Sequence, residues 1–164
     1  MAVSLSCLAS CGSDPLDSCL EDSDGTVDCS EAELNNVDLS GRDLRNVDLF
    51  GTLHGTDLSQ ANLSGVDLSF MYLRDTDFSG ANLEGVDFSE SILERVDFSG
   101  ANLSGANFDA AHGVGQNFTG ADLSGTNLYG TDFDTWDFTG AKVDDKTVWP
   151  TGFDPEAAGV IFED

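Results

Sequence analysis

Residues 76–105 read TDFSG ANLEG VDFSE SILER VDFSG ANLSG. Every fifth residue is Leu or Phe, the residue before it is usually Asp or Asn, and the residue two before it is Ala, Val, Thr or Ser. A five-residue period matches neither the roughly 3.6 of a helix nor the roughly 2 of a strand, so the stretch is an internal repeat and the chain must coil.

Side-chain size gives the shape of the coil. The Leu or Phe is the centre of each unit; it and the small residue two positions earlier point inward, while the Asp, Asn, Ser, Gly, Glu and Arg positions point out. Four such units turning about 90° each close a square of about 20 residues, and stacked squares pair their backbones at about 4.8 Å. No unit buries its own centre, so stability comes from stacking. Gly or Ser after the centre and Asp or Asn before it suit a tight corner, because Gly tolerates positive φ and Asx side chains bond the nearby backbone. The pattern predicts an all-β solenoid.

ANLSG at 61–65 and 101–105, ADLSG at 121–125 and TDFSG at 76–80 resemble the A(D/N)LXX units of pentapeptide-repeat proteins, and the resemblance runs over residues 32–145. It implies that family's fold, a right-handed quadrilateral β-helix. Three segments follow: a non-repetitive leader at 1–31, the β-helix at 32–145 and a cap at 146–164. Fold alone does not assign an activity.

The chain of 164 residues carries a formal net charge of −25, with only six Lys or Arg. Such an excess of negative charge repels nucleic acid and anionic membranes and favours basic protein surfaces or cations as partners. Apolar runs long enough to span a bilayer as a helix are absent from the sequence.

All four cysteines, Cys7, Cys11, Cys19 and Cys29, lie in the leader. Leu8-Ala9-Ser10-Cys11 followed by Gly12-Ser13 resembles a bacterial lipobox, in which the cysteine becomes the lipidated N-terminal residue after signal cleavage. Only ten residues precede Cys11 and none is Lys or Arg, whereas a signal segment has a charged start and a longer apolar core, so an upstream start codon is expected. A disordered Ser-rich leader is the other interpretation. Lipidation of Cys11 would leave Cys19 and Cys29 as a pair in an export compartment that permits a disulfide ahead of the first coil.

Residues 20–31, LEDSDGTVDCSE, partly match a 12-residue calcium loop, with Asp22, Asp24, Asp28 and Glu31 at ligand places and Gly25 at the turn. Leu20 stands at the first ligand place and helical flanks are missing, so a solvated acidic linker competes with a calcium site.

Two units break the pattern. Between the centres Leu49 and Leu53 the step is four residues, so one residue is missing near residues 51–54, where His54 sits. In AHGVG, residues 111–115, the expected centre is Gly113; the layer lacks its plug unless Val114 turns inward, and His112 faces out. From Phe78 to Phe108 the centres alternate Phe and Leu, which places Phe on two opposite sides of the coil and Leu on the other two, filling the bore evenly. At the C-terminus, Asp154 as N-cap, Pro155 at the first position and Gly159 as terminator predict a short helix, with Val148, Trp149, Phe153, Val160, Ile161 and Phe162 covering the last coil.

No catalytic constellation is present: the two His residues are far apart, and nothing marks a nucleophile, a phosphate loop or a dinucleotide site. The expected function is a non-catalytic acidic binding scaffold, envelope-associated and tethered by lipid at Cys11. Its informative surface is the residue before each centre: Asp57, Asp77 and Asp97 recur every 20 residues and stack on one side, and Asp67 and Asp87 stack on the opposite one. They either present charge to a partner or brace their own corners through turn amides. No outward apolar patch is expected. The family resemblance carries the alternative: some pentapeptide-repeat proteins resemble B-form DNA in size and charge and act on DNA gyrase, which makes a cytosolic DNA mimic the second expectation.

Overall fold

The computed structural model describes residues 14–163 except residues 24, 31, 52, 133 and 134. Through residues 57–142 backbone partners lie 20 residues apart and run parallel on every side of the coil. Asp57, Asp77, Asp97, Asn117 and Asp137 form one column, Asn62, Asn82, Asn102, Asp122 and Lys142 the next, and Asp67, Asp87, Asn107 and Asn127 the third. The fourth side is a regular sheet of β4 (Tyr72–Arg74), β5 (Ile92–Glu94) and β6 (His112–Val114), again in 20-residue register. Four five-residue units therefore make one turn of a repeat β-helix.

Each corner is closed locally. The carbonyl of a centre accepts the amide three residues on, as from Ala61 to Leu58 (3.1 Å), Ala81 to Phe78 (3.0 Å) and Ala101 to Phe98 (3.0 Å). The residue two past the centre takes positive φ, +64° at Gly80 and Gly100, a conformation that costs a non-glycine residue about 1–2 kcal/mol. The inward positions follow the expected rule: Phe78, Phe88, Phe98, Phe108 and Phe118 are fully buried, as are Leu83, Leu93 and Leu103. Rings 20 residues apart stack, with Phe78 and Phe98 at 5.4 Å and Phe88 and Phe108 at 4.8 Å, while rings ten apart meet edge to face. Phe thus occupies two opposite sides of the bore. At Thr76 and Thr126 the small inward residue's hydroxyl donates to a centre carbonyl of the coil below, Leu53 (2.7 Å) and Leu103 (2.8 Å), and at Thr131 to the preceding centre, Leu128 (2.7 Å). Such bonds satisfy polar groups that burial would otherwise penalise.

The missing residue appears as a 19-residue step, Asp38 pairing with Asp57 and Asp43 with Asn62. His54 lies at this irregularity, its ring edge-on to Tyr72 at 4.8 Å. At the second irregularity Val114 does not turn inward; it is 53% exposed. Gly113 pairs with Leu93 at φ +149°, and a Cβ there would strike the Leu93 carbonyl oxygen. The vacated space takes the side chain of Gln116, which is buried and donates through Nε2 to that same carbonyl. A long polar side chain entering from the small inward position replaces the missing plug.

The two ends are built differently from the coil. At the N-terminal end, a 3-10 turn at Pro15–Ser18, capped by Asp14, leads into β1 (Leu20–Glu21), which pairs antiparallel with β2 (Val27–Asp28). β2 in turn pairs parallel with β3 (Val47–Asp48) in 20-residue register, so the coil reaches back to Val27. Cys29 is buried one coil before the centre Leu49. VDCSE is thus a repeat unit whose centre is cysteine. At the C-terminal end, residues 154–159 form a single turn rather than a helix: the Ala158 amide donates to Asp154 O at 3.2 Å, and the Asp154 side chain caps the Ala157 amide at 3.1 Å. Four residues between the cap and Gly159 give too few hydrogen bonds to propagate a helix. The chain then returns as β8 (Ile161–Phe162), parallel to β7 (Lys142–Val143), and Lys142 meets Glu163 at 2.7 Å. Trp149 and Phe153 stack on each other and pack edge-on to Phe138, closing the last layer. Ile161 and Phe162 remain half exposed instead of covering it.

Candidate binding surface

The residue before each centre projects outward from the ladder, and its side chain does two things. One carboxylate oxygen accepts the amide two residues on: Ser59 to Asp57 at 2.9 Å, Ser69 to Asp67 at 2.9 Å, Ser79 to Asp77 at 2.8 Å, Ser89 to Asp87 at 2.9 Å and Ser99 to Asp97 at 2.8 Å. This braces the corner and fixes the rotamer. At Asp57, Asp77, Asp87 and Asp97 the second oxygen makes no hydrogen bond within the described chain. Hydrogen bonds from the Ser69 hydroxyl and amide hold the Asp67 carboxyl below its ordinary value, and Ser40 and Thr139 do the same for Asp38 and Asp137. These groups are fully ionised at neutral pH.

Asp57, Asp77 and Asp97 stand in consecutive rungs of one column, and Asp67 and Asp87 in consecutive rungs two sides away. Two carboxylates one rung apart repel by about 1 kcal/mol in water. Asparagine ends each run: Asn117 donates to Asp97 at 3.1 Å and Asn107 to Asp87 at 3.0 Å. The intervening side is an amide ladder, Asn102 to Asn82 at 3.0 Å and Asn82 to Asn62 at 3.1 Å. The spaced columns therefore form fixed arrays of charge on a backbone that cannot shift register, because a slip would turn the centres outward.

The fourth side is different, and here the expectation of no outward apolar surface is corrected. Tyr72, Ile92 and His112 occupy the rungs where the other sides carry Asp or Asn. Phe50, Phe70, Val114 and Tyr129 are each more than half exposed at or beside that side. On it Arg95 pairs with Asp75 at 2.7 and 2.8 Å. The five-residue pattern constrains inward positions only, so nothing in the repeat forbids an outward aromatic residue.

Of the other sequence-stated sites, Cys19 and Cys29 form a disulfide, with Cα atoms 4.5 Å apart. Cys11 lies outside the described residues, as do Asp24 and Glu31. Asp22 sits at the start of a tight hairpin, its amide donating to Thr26 O at 2.8 Å, and Asp28 accepts the Ser30 amide at 2.8 Å as a corner brace like the other repeat aspartates. Antiparallel pairing of β1 with β2 closes the segment as a hairpin. Among the described residues no group of three or more His, Cys, Asp or Glu side chains converges as a metal site, and no helix is long and apolar enough to cross a membrane.

A 20-residue parallel coil with apolar centres, corner aspartates and flat sides defines a repeat β-helix whose surface, more than any cavity, meets the outside. The chain belongs to the pentapeptide repeat family: the family model for pentapeptide repeats in eight copies matches residues 53–89, 72–109, 91–134 and 117–145. Among solved structures, a pentapeptide repeat protein (Rfr23) from the cyanobacterium Cyanothece is 28% identical over 71% of this chain and 83% of its own, with a TM-score of 0.40. One from the Arabidopsis thaliana thylakoid lumen is 31% identical over 66% of each chain, with a TM-score of 0.31. Full-length QnrB1, a plasmid-mediated fluoroquinolone resistance protein, is 21% identical over 79% of this chain and 81% of its own, with a TM-score of 0.28. No match to a curated protein was found.

Proposed function

We propose that this protein is a non-catalytic acidic scaffold, a right-handed quadrilateral β-helix that binds the basic surface of a partner protein through its carboxylate columns. The observation that carries this is the division of labour within the column aspartates Asp57, Asp77, Asp87 and Asp97: one oxygen locks the corner and the other makes no hydrogen bond within the described chain, so the charge array is preorganised and its fixed spacing costs little ordering on binding. The rungs repeat at about 4.8 Å; a partner strand or helix with regularly spaced Lys or Arg matches that spacing. The Cys19–Cys29 disulfide supports an oxidising address, and with lipidation at Cys11 the scaffold is anchored at the bacterial cell envelope, touching the membrane only through its lipid.

The deciding experiment is the intact mass of the N-terminus from protein made in its native host with the upstream reading frame retained. A diacylglycerol-modified Cys11 fixes the envelope address; an unmodified N-terminus with free thiols overturns it. The second function, a cytosolic DNA mimic acting on gyrase, is supported by the net charge of −25. A supercoiling assay in which stoichiometric protein leaves gyrase unaffected removes it.

A further inference from the structure

One side of the ladder does not close between two coils. On the regular sides a centre amide donates to the residue before the centre one coil on, as Leu39 to Asp57 (2.8 Å), Leu44 to Asn62 (2.8 Å) and Leu58 to Asp77 (2.7 Å). On the third side, among the described residues, no backbone hydrogen bond joins residues 47–50 to residues 65–69. The Gly51 amide, which regular register would direct to Ser69, turns instead to the Met71 sulfur at 3.4 Å. The cause is the missing residue. The 19-residue coil is in phase at Asp38 and Asp43, so the shortfall falls on the stretch just after Leu49. Met71 is a buried, larger side chain in the slot that Ala, Val, Thr or Ser fills in most other units, and its sulfur takes the Gly51 amide at that corner.

The opening is a cleft of about 370 Å³, with Arg45, Val47, Asp48 and Phe50 on one wall and Val66 and Asp67 on the other. Its chemistry is that of an open strand edge. The Leu49 and Asp67 amides lack their ladder acceptors, and each unpaired backbone group favours any extended chain that pairs with it. Val47 and Val66 give an apolar floor, and Phe50 stands 63% exposed at the rim. Asp48 and Asp67 are exposed, whereas Asp57, Asp77, Asp87 and Asp97 are half-buried. Each uses one oxygen on its own corner, Asp48 for the Phe50 amide at 3.0 Å and Asp67 for the Ser69 amide at 2.9 Å. Arg45 does not neutralise them, because its guanidinium is held by Asp43 at 2.6 and 2.8 Å.

We propose that this cleft binds an extended segment of a partner protein, a Lys or Arg flanked by aliphatic residues, taken as an added strand between the two coils. Backbone pairing supplies affinity, and the alternation of a strand sends aliphatic side chains to Val47 and Val66 and the basic one to Asp48 and Asp67. It deepens the scaffold function by naming one site on it, and rests on that reading for the partner's basic character.

The test is an NMR titration of the isotopically labelled full chain with the peptide acetyl-Val-Lys-Val-Lys-Val-amide, beside one with Glu for Lys and one N-methylated at alternate amides. The Lys peptide is expected to shift the amides of Val47, Leu49, Val66 and Asp67 and to slow hydrogen exchange at Leu49 and Asp67. N-methylation should weaken binding about tenfold, because pairing bonds are lost, and the Glu peptide should not bind. Asp48→Asn with Asp67→Asn, both exposed, should remove the preference for Lys over Glu. Insertion of one Gly after Gly51 restores the 20-residue spacing, closes the ladder and should abolish binding. Equal binding of all three peptides, or unchanged binding by the folded insertion variant, overturns the proposal. Shifts confined to the columns at Asp57, Asp77 and Asp97 overturn the cleft and leave the scaffold standing; no shift anywhere overturns both.

Discussion

Replacing Phe98 by Ala should be among the most damaging single changes in this chain. The ring is fully buried and is clasped on four sides, with Phe118 at 4.9 Å, Phe78 at 5.4 Å, Phe88 at 5.5 Å and Phe108 at 5.8 Å. Truncating a buried Phe costs about 3–5 kcal/mol, and each lost aromatic pair adds about 0.5–1.5 kcal/mol beyond area. These overlap, so the expected loss is about 4–5 kcal/mol. The surrounding layers cannot collapse into the hole because their spacing is fixed by the ladder. With a urea slope of roughly 2–3 kcal/mol per molar, the midpoint followed by circular dichroism should fall by about 2 M. Phe70→Ala is the control: that ring is 66% exposed, and its removal should cost less than about 0.5 kcal/mol. Phe98→Leu should recover most of the loss, since Leu is the centre in the neighbouring units. A loss below about 1 kcal/mol for Phe98→Ala, or one no larger than for Phe70→Ala, would refute the view that the centres carry the stability.

Gly113→Ala should cost about 3 kcal/mol or more, since positive φ and the Leu93 carbonyl oppose the new methyl together; Gly65→Ala, with open space at φ +72°, should cost about 1–2 kcal/mol, and paired urea melts separate the two. Reduction of the Cys19–Cys29 disulfide, which closes a ten-residue separation, should lower stability by about 2–3 kcal/mol through loop entropy, read as a midpoint shift on adding reductant and absent in a Cys19→Ser, Cys29→Ser double variant. Acid should also destabilise. Asp38, Asp67 and Asp137 have carboxyls held below their ordinary value near 3.8 by Ser or Thr hydrogen bonds, so their contribution is complete above that value and is lost as pH falls through the lower folded values. At 1 M salt, where charge repulsion is screened within about 3 Å, the melting temperature should fall below about pH 4; a melting temperature that keeps rising toward pH 2 would contradict this.

The coil was legible because a five-residue period admits few geometries, and the missing residue because the step from Leu49 to Leu53 breaks an otherwise constant count. The alternation of Phe and Leu translated directly into opposed ring columns, since side is a matter of counting by fives. What stayed hidden depended on exchanges between residue types. VDCSE hid as a unit because cysteine replaced the apolar centre, although Val27, Asp28 and Ser30 stand where VDLSG and VDFSE carry the same residues. The rescue of the Gly113 layer by Gln116 required knowing that an amide from the small inward slot reaches a carbonyl in the coil below. The C-terminal turn carried every local helix signal and still formed one turn, because the chain had to come back as β8 over β7. The open side between residues 47–50 and 65–69 had a visible cause, but which of four sides would part is decided by tertiary pairing.

The 20-residue register of the middle coils bears on how such a molecule changes over generations. Residues 77–96 span one whole coil, and Asp77 and Asp97 occupy the same rung position on the same side. Losing that block, or copying it, joins equivalent atoms to equivalent atoms: the Phe columns stay in phase and neither end structure is touched. Loss of a single residue, by contrast, has left a scar at residues 51–54 that the fold still accommodates. Length in this protein is therefore a variable counted in whole coils, and a gene that slips by sixty nucleotides changes the reach of the rod by about 4.8 Å while leaving its architecture alone.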